Sequence, residues 1–194
     1  MNDLSWERED DRGHFKIATN PTLVDHDFIN LSFASEETYW AKPLPPDQLA
    51  TLLSNSITLG VYEIQLQPNI PSARSISEPS SPRTPSSTVQ EQSPQQQQLK
   101  QIGLARFITD HVTTAYLTDV YVAPAYRKYG LGKWLIACCD EVIEAHPALR
   151  RALLAASPGI GKPFYEREMG MRDVVEESGH VAIMSKKRFR VPGE

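Results

Sequence analysis

The sequence predicts an α+β fold: a mixed, largely antiparallel sheet with a central parallel strand pair and flanking helices. Three observations carry this. The apolar pattern changes period along the chain in the order strand, two helices, three-strand meander, helix, strand, short helix and closing strand. A full-length helix separates the strand-like runs 115–122 and 152–157, which makes them parallel neighbours joined by a right-handed crossover. The one long polar stretch, residues 71–98, interrupts a hairpin and leaves 166 residues as a single domain with room for a good apolar core.

Taken in order, "HFKIATN" (14–20) alternates as a strand and "DHDFINLSFAS" (25–35) reads as a helix or two turns of one. "PPDQLATLLSNS" (45–56) is a helix with Pro45 and Pro46 at its start and Asp47 in its first turn. The strand "SITLGVYEIQL" (56–66) and the strand "QIGLARFIT" (101–109) flank the polar stretch. A turn "DHVTT" leads into strand 115–122, then into helix 130–145 with Leu131, Trp134, Leu135, Cys138 and Val142 on one face. "ALLAAS" (152–157) has the continuous apolar character of a buried strand, "GKPFYEREMG" is a short helix, and "VAIMSKK" a last strand.

Of the 28 residues 71–98, 5 are Pro, 8 Ser and 6 Gln, and only Ala73, Ile76 and Val89 are apolar. So little apolar surface cannot offset the entropy of ordering, so the segment is expected to be disordered. Because loop-closure entropy grows only logarithmically, it is expected to be a hairpin insertion and not a domain boundary. Its Ser/Thr-Pro pairs at Ser81, Thr84 and Ser93 are as readily explained by chance as by phosphorylation.

The net charge is −4 with both signs interspersed, which speaks against a nucleic-acid surface; the basic run "SKKRFR" reads as a solvated strand end. No apolar run is long enough to span a bilayer and "MNDLSWEREDDRGHF" has no apolar signal core, so no membrane partner is expected. The expected compartment is the cytoplasm, with the nucleus also open. The two cysteines, Cys138 and Cys139, are adjacent within a helix, where they cannot form an ordinary disulfide, and helix packing is a simpler role for them than a catalytic thiol. His111, His146 and His180 show no metal-ligand spacing on one element, so no metal is expected.

The turn "APAYRKYGLGKWLI" (123–136) lies between the carboxyl end of a parallel strand and the amino end of a helix. Unpaired backbone N–H groups and a partial positive charge make such a place an anion site. Gly130 and Gly132 let a diphosphate approach the backbone, and Arg127, Lys128 and Lys133 add positive charge. "GLGKWL" lacks the third small residue of a dinucleotide fingerprint. Gly132-Lys133-Trp134 and Gly161-Lys162-Pro163 lack the Ser or Thr of a P-loop.

The longer string "VYVAPAYRKYGLGKWLI" resembles the acyl-CoA-binding motif of the GNAT superfamily of N-acyltransferases, with Val122, Pro124, Arg127, Gly130 and Gly132 at the motif positions. "ASPGIGKPFYEREMGM" resembles that superfamily's later Phe-Tyr-Glu segment. "SEETYWA" resembles a subgroup of small members carrying Tyr-Trp-Ala near the acceptor side. The resemblance implies that strand 115–122 splays from its parallel neighbour, with backbone groups of Val120, Tyr121 and Val122 against pantetheine. It also implies that the amides of Lys128, Tyr129, Gly130, Leu131, Gly132 and Lys133 hold the pyrophosphate of acetyl-CoA as cosubstrate.

It further implies transfer of an acetyl group to a primary amine: a small molecule, or a lysine or N-terminal amine of a peptide. Such chemistry needs a neutral amine, a donor for the oxyanion and a proton for the departing thiolate. Tyr165 is the expected acid and Asp119 the expected base, or the holder of a water in that role; fixing a strand edge is the competing reading for Asp119. Thr118 stands where many members carry Glu, and Ser157-Pro158 where many carry Asn. Tyr39 and Trp40 are expected in one wall of the acceptor pocket, with core packing equally open. A binding or interaction module that has lost turnover is the alternative, a nucleotide-binding regulator a third reading, and both monomer and homodimer fit.

Overall fold

The structure, a computed structural model, describes residues 3–66, 97–179 and 183–184. β1 (Ser5–Asp10) and β2 (Gly13–Ala18) form a hairpin; α1 (His26–Phe33) and α2 (Pro46–Ser54) follow, then β3 (Ile57–Leu66), β4 (Gln97–Thr109) and β5 (Thr114–Val122). A 3-10 turn (Pro124–Tyr129) leads to α3 (Leu131–Glu144), β6 (Arg151–Leu154), α4 (Gly161–Met169) and α5 (Val174–Ser178). The six described strands make one sheet in chain order, antiparallel from β1 to β5, with β6 parallel to β5.

The elements start where the local chemistry allows. Asp25 caps α1 by accepting from the N–H groups of Asp27 and Phe28. Pro46 opens α2 with its φ already set for a helix. Asp110 turns the β4–β5 hairpin by accepting from the hydroxyl of Thr113 at 2.6 Å and from the N–H groups of Val112, Thr113 and Thr114 at 2.8–3.1 Å; the hydroxyl first, and then the amides, hold its carboxyl well below the usual carboxylate range.

Two apolar layers sandwich the sheet. On one face Phe15, Ile17, Leu59, Val61 and Phe107 pack against Leu131, Leu135, Cys138, Cys139 and Val142 of α3. On the other, Leu104 meets Ile29, Phe33 and Leu49 of α1 and α2. With both faces covered, β4 is buried without interruption from Gln101 to Phe107.

Several expectations are corrected. The antiparallel part of the sheet has one strand more than expected, because the charged N-terminus contributes β1, which pairs with β2 and whose alternation of Trp6 and Arg8 with acids carries little hydrophobic signal. β4 begins at Gln97, so the last two residues of the polar stretch are strand; the others lie outside the described residues. β6 ends at Leu154 and is half-buried, since among the described residues it is the edge of the sheet. α5 was not foreseen. Of "VAIMSKK" only Ile183 and Met184 are described, in no regular element, and His180 and "SKKRFR" lie outside the described residues. Among the described residues no helix is long and apolar enough to cross a membrane.

Candidate active site

β5 leaves its parallel neighbour halfway along. Pairing with β6 runs from Thr114–Arg151 to Leu117–Leu154 and stops. On the β4 side the register shifts at the same height: Leu104 faces Tyr121 and Arg106 faces Thr118, so Asp119 and Val120 together stand opposite Ala105. Asp119 has φ +52°, a left-handed conformation that aspartate tolerates better than most residues, and such a bulge bends and twists its strand. From Thr118 to Val122 the outer edge of β5 therefore carries backbone groups unmatched by β6.

The bulge is held by a buried network. Oδ2 of Asp119 accepts from Arg106 Nε at 2.8 Å and Nη2 at 2.7 Å; Oδ1 accepts from Trp40 Nε1 and Thr118 Oγ1, each at 3.2 Å. A carboxylate offers about four lone-pair sites, and all four have donors here. Arg106 could have been suspected from the sequence, because a charge inside the apolar run "QIGLARFIT" must find a partner. Trp40 is 52% and Tyr39 82% exposed, their rings edge to face at 5.1 Å, so core packing does not explain them.

Beyond Val122 the chain makes the basic turn. Gly130, at φ +70° and ψ 12°, is the N-cap of α3 and no side chain caps this helix, so its first N–H groups stay open to an anion. Gly130 needs its left-handed backbone. Gly132 does not: a Cβ added there meets nothing within 4 Å, so packing among the described residues imposes no need for glycine.

Arg127 points elsewhere than the turn's mouth. Its Nε donates to the carbonyl of Val122 at 3.0 Å, Nη1 to Glu37 Oε1 at 2.7 Å, and Nη2 to Glu37 Oε2, while the guanidinium lies 5.8 Å from the ring centre of Tyr121. Arg127 thereby lowers the pKa of Glu37. Lys133 is mostly exposed and lies 3.1 Å from Glu168. Neither Glu37 nor Arg106 had been singled out beforehand.

Tyr165, half-buried on α4, packs beside the α3 core and lines a cavity of about 240 Å³ between β6 (Ala152–Leu154), α4 and residues 171–174. Burial, and secondarily Cys139, push its hydroxyl pKa up to about 12. Burial pushes the Cys138 thiol up to about 12 and raises Cys139 as well, which keeps both as inert thiols. Among the described residues no group of three or more His, Cys, Asp and Glu could hold a metal ion.

Residues 95–168, which span β4 to α4, match the family model described as "Acetyltransferase (GNAT) domain". A Gibberella zeae protein, FG08082, named as a candidate acetyltransferase, is 32% identical over 168 residues, covering 87% of this chain and 85% of that protein. The crystal structure of a candidate GNAT-family acetyltransferase from Xanthomonas campestris pv. campestris superposes with a TM-score of 0.57 at 24% identity, covering 91% of this chain and 94% of that one. A candidate acetyltransferase from Deinococcus radiodurans R1 gives 0.50 at 17% identity over 90% and 88%. At these identities the two structures speak for the fold.

Proposed function

The chain belongs to the GNAT acetyltransferase family, as an acyl-CoA-dependent N-acyltransferase, and on that premise we propose that it moves an acetyl group from acetyl-CoA to a primary amine at the gap between β5 and β6. The observation that carries this is Gly132: an open, uncapped helix start with a glycine that the fold itself does not require. A diphosphate fits there, against the amides of Lys128, Tyr129, Gly130, Leu131, Gly132 and Lys133. The unmatched backbone edge of β5 at Val120, Tyr121 and Val122 suits the amide-rich pantetheine arm. Acetyl-CoA, when bound, supplies the thioester; the residues of this chain orient it and handle protons.

In this reading Tyr165 supplies the proton to the departing sulfur, since its hydroxyl remains protonated at neutral pH. Asp119 takes a different role from the expected base. With all four acceptor sites occupied it positions Trp40 and the bulge, and the amine releases its proton to water at the open Tyr39–Trp40 side. The acceptor is a small-molecule amine or a peptide amine meeting that aromatic wall.

Two measurements test the proposal. Acetyl-CoA at millimolar concentration should raise the melting temperature where ATP and NAD do not, and an amine panel should contain acceptors that release free CoA thiol. Indifference to acetyl-CoA would sink the donor assignment. Stabilisation with no thiol released from any amine would remove the transfer step.

A further inference from the structure

Behind the turn stands the β1–β2 hairpin, and it grips the turn by its carbonyls. Arg8 Nη2 donates to the carbonyl of Tyr129 at 2.8 Å, and Arg12 Nη1 to that of Lys128 at 3.3 Å. Arg8 is itself fixed. Its guanidinium lies 5.1 Å from the ring centre of Trp134 on α3 and 5.7 Å from that of Phe15, its cross-strand partner, with Asp10 Oδ2 3.3 Å from Nε. The hairpin is tied to α3 by Trp6 Nε1, which donates to Glu141 Oε2 at 2.7 Å.

A trans peptide points its N–H opposite to its C=O. Drawing the carbonyls of Lys128 and Tyr129 toward the hairpin therefore turns the N–H groups of Tyr129 and Gly130 away from it. Tyr129 ends the 3-10 turn and Gly130 is left-handed, the succession that lines up backbone N–H groups as an anion-binding concavity. Glycine also makes this arrangement easy to lose, because Gly130 adopts either sign of φ at little cost. Something must select one orientation of these peptides.

We infer that Arg8 and Arg12 are positioning residues that pre-orient the Lys128–Gly130 peptides for the diphosphate of the acyl-CoA. This rests on the donor assignment above and extends it to the N-terminal hairpin. Neither arginine touches the ligand; both act through the carbonyls, so their effect falls on ligands that carry the diphosphate and not on those that lack it.

The test compares acetyl-CoA with S-acetylpantetheine, which keeps the thioester arm and lacks the diphosphate, in wild type, Arg8→Gln, Arg8→Lys and Arg12→Gln. The readouts are calorimetry, competition and melting temperature. Arg8→Gln is expected to weaken acetyl-CoA about 10-fold, the size of one charge-assisted hydrogen bond, and Arg12→Gln less. S-acetylpantetheine should bind each variant as it binds wild type, and Arg8→Lys should recover part of the loss. Arg12 is exposed, so its variant reports even where Arg8→Gln lowers stability. Equal weakening of both ligands, or no change in either, overturns the inference. A wild type that binds no acetyl-CoA overturns the donor assignment instead, and the inference with it.

Discussion

The indole N–H of Trp40 rests on the carboxylate of Asp119 at 3.2 Å, and this single bond fastens an exposed loop to the bulge at which β5 turns away from β6. Asp119 is in turn paired with buried Arg106, so the Trp40 loop and the β5 bulge share one support.

Asp119→Asn separates the two roles this residue could have. Asparagine keeps the shape and tolerates positive φ, but it leaves Arg106 buried without its counter-charge. A loss of about 3 kcal/mol in urea unfolding is expected, partly regained in the Arg106→Met/Asp119→Asn double variant. Unchanged stability together with abolished thiol release would return Asp119 to the role of base.

Tyr165→Phe tests the proposed acid by removing its hydroxyl. The rate of thiol release should fall about 100-fold with little change in acetyl-CoA affinity. The hydroxyl also leaves a mark on stability. Its folded pKa of about 12 exceeds the ordinary 10, so between those values the native state holds a proton that the unfolded chain gives up. Its contribution is therefore complete below pH 10 and fades as pH rises toward 12. Wild type should lose stability over that window more steeply than Tyr165→Phe in paired denaturation curves.

Arg127 faces Glu37, which makes it a clamp on the loop that precedes Tyr39 and Trp40. Being exposed, the pair should contribute less than about 1 kcal/mol to global stability. Glu37→Gln should nevertheless speed amide exchange in residues 36–41 while acetyl-CoA affinity stays near wild type. Unaltered exchange, combined with a large loss of acetyl-CoA affinity in Arg127→Gln, would show the arginine acting on the diphosphate.

The sequence was most legible where backbone chemistry is local. The β5–turn–α3 unit declares itself through apolar period, Pro124 and two glycines, and the parallel pairing with β6 follows from the intervening helix. What it concealed depends on partners far along the chain. Arg8 and Arg12 reach the turn across more than a hundred residues from a hairpin too polar to stand out. The same holds for Asp119, three of whose four donor contacts come from Arg106 and Trp40 and only one from the adjacent Thr118. Arg127 illustrates a subtler limit, because a motif position fixes where its Cα lies but not which anion its side chain takes.

Gly132→Asp puts the central claim to the most direct measurement. A Cβ added at Gly132 meets nothing within 4 Å among the described residues, and a carboxylate in the first turn of a helix favours the helix, so the melting temperature of the free protein should hold or rise. In the same protein the new bulk and negative charge oppose a diphosphate. Calorimetric titration with acetyl-CoA should show affinity about 100-fold below wild type. Binding of acetyl-CoA to Gly132→Asp at wild-type affinity would contradict the placement of the diphosphate at the start of α3.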